Sequence, residues 1–347
     1  MSKSPVLVTG ATGYVAGWLV KRLLAEGYTV HAPVRDPDNA DKVAHLKAME
    51  AESPGTLKFF QAADLLDEGV YDEPMKGCDM VFHTASPFVM SVKDPQRDLV
   101  DPALKGTQNV LNSVNRTDSV KRVVLTSSAA AIFSDNVDFK RHANGVLTEE
   151  DWNTGSSVDH NPYQYSKTVA EQAAWALCEA QDRWDMVTIN PSLVIGPGTN
   201  PNATSESFTL FRQFGNGKLA TGVPKIDLGV VDVREVATAH YNAAFTPEAK
   251  GRHILSGHNT SMLALGKAIG KRFPKAPVPK NSLPKALVWA VAPAVGYSRK
   301  FIADNVGHTL NLDNSKSVRE LGIKYRPLEE SAGEFFQQLV DQGKVKG

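Results

Sequence analysis

The sequence predicts an α/β protein, a doubly wound parallel sheet with a smaller C-terminal α/β part. Three observations predict it. Short, continuously apolar strands alternate with helical stretches as far as residue 190. A glycine-rich turn joins the first strand to the first helix within the first twenty residues. From residue 191 to 224 the alternation gives way to Gly, Pro, Asn, Ser and Thr, the composition of loops around a site.

The elements follow in order. Val6-Leu7-Val8 is a short apolar strand, and residues 14–25 after the glycine turn read as a helix. Residues 28–34 form the second strand, 38–51 a polar helix and 57–61 the third strand. The fourth strand is Asp79-Met80-Val81-Phe82-His83. Residues 98–115 have helical spacing, with Leu99, Ala103, Leu104, Val110, Leu111 and Val114 apolar. Residues 120–126 are the fifth strand, 163–182 a long helix and 186–189 the sixth strand. Residues 232–245 look helical, and 252–256 suit one more strand. The expected division is a cofactor-binding domain over 1–190 plus about 225–258, with a substrate-binding region over 191–224 and 259–347.

Composition narrows the function. Among 347 residues, 38 Lys+Arg balance 38 Asp+Glu, so there is no basic excess to hold nucleic acid or an anionic membrane. A hydrophobic content of 42% excludes disorder, collagen and coiled coil as whole-chain descriptions. Two cysteines, Cys78 and Cys178, make neither a disulfide framework nor a cysteine zinc site, and no metal is expected. Met1 to Pro5 runs straight into a strand pattern, leaving no room for a signal peptide. The longest apolar run, 286–297, is too short to span a bilayer and is broken by Pro293, so it reads as buried or partner-covered. The expectation is a cytoplasmic monomer or homodimer acting on a small molecule.

The turn Thr9-Gly10-Ala11-Thr12-Gly13-Tyr14-Val15-Ala16-Gly17 has the form of a dinucleotide site. Gly10 allows the tight turn, Gly13 lets a pyrophosphate approach the backbone, and Ala16 lets helix pack on strand. Free N–H groups at the helix start then meet the phosphates. The second strand ends Pro33-Val34-Arg35-Asp36-Pro37. Arg35, with Lys42 following, suits the 2′-phosphate of NADPH, whereas Asp36 turned inward would favour NAD.

Tyr163 and Lys167 stand at i and i+4, on one face of the long helix. An ammonium beside a phenol favours its ionised form, and such a Tyr exchanges a proton with a carbonyl/alcohol pair. Tyr165 is a decoy, since its i+4 partner is Val169. Ser127-Ser128 closes the fifth strand, on the sheet edge where ligands of open α/β folds bind. After the fourth strand, Thr84-Ala85-Ser86 is small enough to leave room for a ribose and a nicotinamide ring. His83 reads as structural.

Together with Asp64-Leu65-Leu66-Asp67 and Asn190-Pro191-Ser192, these motifs resemble those of the extended short-chain dehydrogenases/reductases, in the NAD-dependent epimerase/dehydratase superfamily. The chain is most similar to their dihydroflavonol reductase, cinnamoyl-CoA reductase and yeast-type carbonyl/aldehyde reductase group. The resemblance implies a Rossmann fold and an NADPH-dependent reduction of an aldehyde or ketone. It implies Ser128, Tyr163 and Lys167 as catalytic residues. For the cofactor it implies Gly10, Thr12, Gly13, Tyr14 and Val15 at the phosphates, and Arg35 and Lys42 at the 2′-phosphate. Asp64 and Leu65 would flank the adenine, Thr84, Ala85 and Ser86 the ribose side, and Pro191 and Val194 the nicotinamide, with Lys167 on the ribose beside Tyr163.

The sequence also departs from the pattern. The relay Asn of many relatives falls at Ala103, where a water would have to substitute. The signature of cinnamoyl-CoA reductases is absent, which disfavours a CoA thioester, and the residues that place a flavonoid ring are not recognisable. Phe88, Met90, Phe133, Phe208 and Phe211 are candidates for an apolar pocket, and each reads equally as plain core. Other readings are a sugar-nucleotide epimerase or dehydratase using NAD, with Lys218, Lys225 and Arg234 for the substrate pyrophosphate; a 3β-hydroxysteroid-type dehydrogenase; and a non-catalytic NADPH sensor.

Overall fold

A computed structural model describes residues 3–86, 92–142, 144–201, 203 and 205–347. Phe88 and Met90 lie outside the described residues. The chain opens β1 (Val6–Thr9), α1 (Tyr14–Ala25), β2 (Thr29–Val34), α2 (Ala40–Ala51), β3 (Thr56–Gln61), a short α3 (Asp72–Met75) and β4 (Met80–His83). It continues through α4 (Asp101–Arg116), β5 (Arg122–Thr126), α5 (Pro162–Glu179) and β6 (Asp185–Pro191). The helix expected from residue 98 begins as a wider turn over Gln96–Val100 before tightening into α4. After β6 come β7 (Leu193–Ile195), α6 (Glu206–Gly215), β8 (Val223–Pro224), β9 (Asp227–Asp232), α7 (Val233–Phe245) and β10 (Gly251–Leu255).

The main sheet has seven strands in the order β10-β6-β5-β4-β1-β2-β3. All its pairings are parallel. The order reverses between β1 and β4, and ligands of such sheets bind at that switch point, outside the carboxyl ends. Alternation explains the two layers. Val6 and Val8 pack with Leu19, Val20 and Leu23 of α1 and with Val236 and Ala239 of α7. Leu7 faces the other way, joining Val81 and Val123 against Val110, Leu111 and Val114 of α4 and Ala174 of α5. Strands buried on both faces have no polar side to show, hence their continuous apolar runs.

The C-terminal elements are β11 (His258–Ser261), α8 (Met262–Arg272), β12 (Ser282–Leu283), α9 (Lys285–Val291), α10 (Arg299–Asn305), α11 (Ser315–Leu321) and α12 (Leu328–Asp341). A second sheet has the order β11-β9-β7. A separate core there gathers Phe208, Phe211 and Phe214 of α6 with Phe335 and Phe336 of α12. Phe208 and Phe211 are therefore core residues, because the apolar face of α6 packs against α12. Phe133 is half-buried and meets Phe139 edge-on.

The run 286–297 is not buried within the chain itself, which leaves the partner-covered reading of it. Leu287, Trp289, Val295 and Tyr297 are 50%, 43%, 63% and 54% exposed. A seven-residue helix has one packing face, and here Val288 and Ala292 use it against Ile302 and Val306. Among the described residues no helix is long and apolar enough to cross a membrane. Cys78 and Cys178 are unpaired thiols, pushed up to about 12 and about 11 by burial.

Candidate active site

The glycine turn is built for close approach. Gly10 has φ +66°, and a Cβ there would lie 3.0 Å from the Ala85 Cα. Such a backbone favours glycine. The N–H of Gly13 donates to the Gly10 carbonyl at 2.8 Å, closing the turn. Tyr14 and Val15 open α1, so their N–H groups have no intrahelical acceptor. The Tyr14 side chain points the other way. It packs on Phe208 and Phe335 and donates its hydroxyl to the Gly196 carbonyl at 2.5 Å, so only its backbone is offered to a ligand. Thr12 stands half-buried beside them, its carbonyl accepting from Asn200 Nδ2 at 3.4 Å.

Thr9 organises the next loop. Its hydroxyl oxygen accepts from the N–H groups of Thr84 (3.1 Å) and Ala85 (3.0 Å) and pairs with His83 Nδ1 at 2.9 Å. The Thr84 hydroxyl donates to the Thr9 carbonyl. Burial, with Lys167 adding to it, pushes His83 down to about 3, so it is neutral and structural.

At the other end of the groove, Asp36 turns into its own loop, accepting from the Asp38 N–H at 3.2 Å. Arg35 stays exposed, and Asn39 caps α2 by accepting from the Lys42 N–H. Burial pushes Tyr71 up to about 12, with Asp64 raising it and Arg35 lowering it. Arg35 and Asp64 thus act on one phenol from the ends of their two loops. Asn109 holds the second loop, donating to the carbonyls of Leu65 (2.8 Å) and Asp67 (2.7 Å).

The catalytic candidates sit at the carboxyl edge. Pro162 starts α5, which suits a position whose N–H needs no partner. Asn161 before it takes the left-handed conformation, φ 54°, and its Nδ2 donates to Ser134 Oγ at 2.9 Å. Asp135 pairs with His160 at 2.7 Å, a second tie on the start of the helix. Tyr163 follows, half exposed, with Lys167 Nζ 5.8 Å from its ring centre. Lys167 donates to Ser86 Oγ at 2.8 Å. Ser128 caps the turn Ala129–Ala131, against which α5 packs, and its Oγ accepts from the Ala130 N–H at 3.1 Å. Pro191 is buried at the end of β6, and Val194 is half-buried in β7. A cavity of about 20 Å³ lies under Lys167, walled by Leu65, Ala103, Thr107, Ser127 and Glu171 among others.

Residues 6–256 match the NAD dependent epimerase/dehydratase family. The chain belongs to this family. It is 38% identical to a cinnamoyl-CoA reductase of Medicago truncatula, over 97% of this chain and 96% of that one. It is 36% identical to tetraketide alpha-pyrone reductase 1 of Arabidopsis thaliana, over 99% and 97%. Its structure is similar to that of the yeast methylglyoxal/isovaleraldehyde reductase Gre2 complexed with NADPH, with TM-score 0.81 and 29% identity over 98% of this chain and 100% of that one.

In this epimerase/dehydratase-family protein, three features of the site escaped sequence reading. Thr9 as loop organiser and Asn109 as loop anchor are two. The third is Glu171, which is buried and paired with Arg252 at 2.6 Å. Its i+4 spacing from Lys167 was the available signal, but a glutamate there reads equally as a solvated helix face.

Proposed function

We propose that the protein reduces an aldehyde or ketone carbonyl to the alcohol, with NADPH as the hydride donor. The observation that carries this reading is Tyr163 and Lys167 one turn apart on α5, which packs against the turn that Ser128 caps at the carboxyl edge of the sheet. The names of the three relatives reported above, each a reductase, support it.

The groove fits the cofactor. Ala85 sits against Gly10 where a side chain would intrude, and open N–H groups of Tyr14 and Val15 meet the pyrophosphate with Gly13 and Thr12. Arg35 and Lys42 hold the 2′-phosphate, a role eased by Asp36 being turned into its own loop. Asp64 and Leu65 border the adenine end. Thr84, Ala85 and Ser86 line the ribose, and Pro191 and Val194 the nicotinamide. When bound, NADPH supplies a hydride to the carbonyl carbon.

The chain's own residues do the rest. Ser128 Oγ already accepts from Ala130, which leaves its proton to donate to the substrate oxygen. Tyr163 gives that oxygen its proton. Lys167, which donates to Ser86, would reach the ribose hydroxyls of a bound cofactor and steady the tyrosine. The cavity walled in part by Ala103 has room for a water, which would serve where relatives place an asparagine. The sugar-nucleotide reading is weaker. Arg234 is held by Asp232 and Glu334, both at 2.7 Å, so it is not spare for a pyrophosphate. We assign residues 1–190 and about 225–258 to the cofactor and the remainder to the substrate.

The test follows NADPH and NADH absorbance over aldehydes, α-ketoesters, aryl ketones and dihydroflavonols. NADPH oxidation with at least one carbonyl, outpacing NADH, is expected. Binding of NADPH with no oxidation by any carbonyl would overturn the reading.

A further inference from the structure

One turn beyond Lys167 on α5, Glu171 carries a fully buried carboxylate, 0% exposed. Ser127 Oγ donates to its Oε2. Asn190 Nδ2 donates to the same oxygen at 2.8 Å and to the Ser128 carbonyl at 3.2 Å. Arg252 Nε donates to Oε1 at 2.6 Å, and its Nη2 reaches the Ala131 carbonyl at 3.2 Å. The turn that presents Ser128 is therefore gripped at residues 127 and 131 by one charge pair, and at residue 128 through Asn190, which is itself bonded to that pair. The carboxylate of that pair grows from the helix bearing Tyr163 and Lys167.

A buried ion pair is a poor way to make stability, since apolar side chains of similar volume often do as well or better. The geometry gives it another use. Ser128 comes from the end of β5, and Tyr163 with Lys167 from α5. A displacement of about 1 Å between reacting groups is enough to cost about 100-fold in rate. We propose that Glu171 is a positioning residue, which through Ser127, Asn190 and Arg252 holds Ser128 in register with Tyr163 and Lys167. This rests on the reading of the site as a carbonyl reductase.

The experiment compares Glu171→Gln, the double variant Glu171→Met with Arg252→Met, and Ser127→Ala with the wild type. It reads melting temperature, NADPH affinity by fluorescence, and kcat and KM for the best carbonyl. Glu171→Gln strands Arg252 and is expected to melt early. The double variant removes both charges while keeping volume, so it regains stability and NADPH affinity while kcat stays about 10- to 100-fold down. Ser127→Ala breaks one tie, and kcat is expected to fall about 3- to 10-fold with KM and melting temperature little changed. A double variant that recovers kcat together with stability would show a merely structural pair. Should the double variant not fold, an unchanged kcat in Ser127→Ala would overturn the proposal. Wild-type protein that turns over no carbonyl would overturn the reductase reading and this role with it, whereas active wild type with unimpaired variants overturns the role alone.

Discussion

At the scale of single residues, the proposed preference for NADPH over NADH rests on charge. Arg35 is exposed at the end of β2, and Asp36 is occupied by the Asp38 N–H. Arg35→Glu is expected to weaken NADPH binding about 10- to 100-fold, the worth of lost charge-assisted bonds plus repulsion, while leaving NADH binding little changed. Fluorescence titration with both cofactors checks it, and equal losses for the two would refute it. Ser128→Ala removes the hydroxyl that the Ala130 N–H orients. Turnover is expected to fall about 100-fold or more at unchanged NADPH affinity, as for loss of an oxyanion donor, in a steady-state assay.

At the scale of elements, legibility followed whether the evidence was local. The glycine turn was readable because its constraint lies in neighbouring residues, with φ +66° at Gly10 and a helix opening four residues on. Tyr163 and Lys167 were readable because helical spacing alone puts them together. Glu171 was not, since its partner Arg252 is 81 residues away and only the fold buries them both. Phe208 and Phe211 read equally as pocket lining or as core, because the surrounding sequence is loop-like. Their destination depends on α12, more than a hundred residues later. The run 286–297 was only half legible, since apolar composition does not say whether the chain itself or a partner covers it. Gly10→Ala tests the turn itself. It sets a Cβ against the Ala85 backbone at a φ that side chains resist, so it is expected to destabilise by about 1–3 kcal/mol. It should also weaken NADPH binding. Denaturant melts and titration check both, and wild-type behaviour in both would contradict the close-approach account.

At the scale of the whole molecule, buried titratable groups set the pH dependence of stability. His83 and His240 are pushed down to about 3 and about 4 by burial. Unfolded, they take up protons from about pH 6.5 downward, so their contribution is present above that pH and is lost as pH falls toward 4 and below. Glu235 runs the other way. Burial, with Asp232 beside it, raises it to about 7. Its contribution is present below about pH 4.5 and lost as pH rises through 7. Glu235→Gln removes that titration. Its stability relative to wild type is expected to rise by roughly 1.4 kcal/mol per pH unit across this window, then level off. Urea unfolding at intervals from pH 4.5 to 8 measures it, and a pH-independent difference would contradict the assignment.

The claim on which the account turns is that Tyr163 delivers the proton in an NADPH-driven carbonyl reduction. The most direct measurement is single-turnover oxidation of bound NADPH by the best carbonyl, in wild type and Tyr163→Phe. Unchanged NADPH affinity and a rate lower by about 100-fold or more are expected in Tyr163→Phe. A Tyr163→Phe protein that oxidises NADPH at the wild-type rate would contradict it.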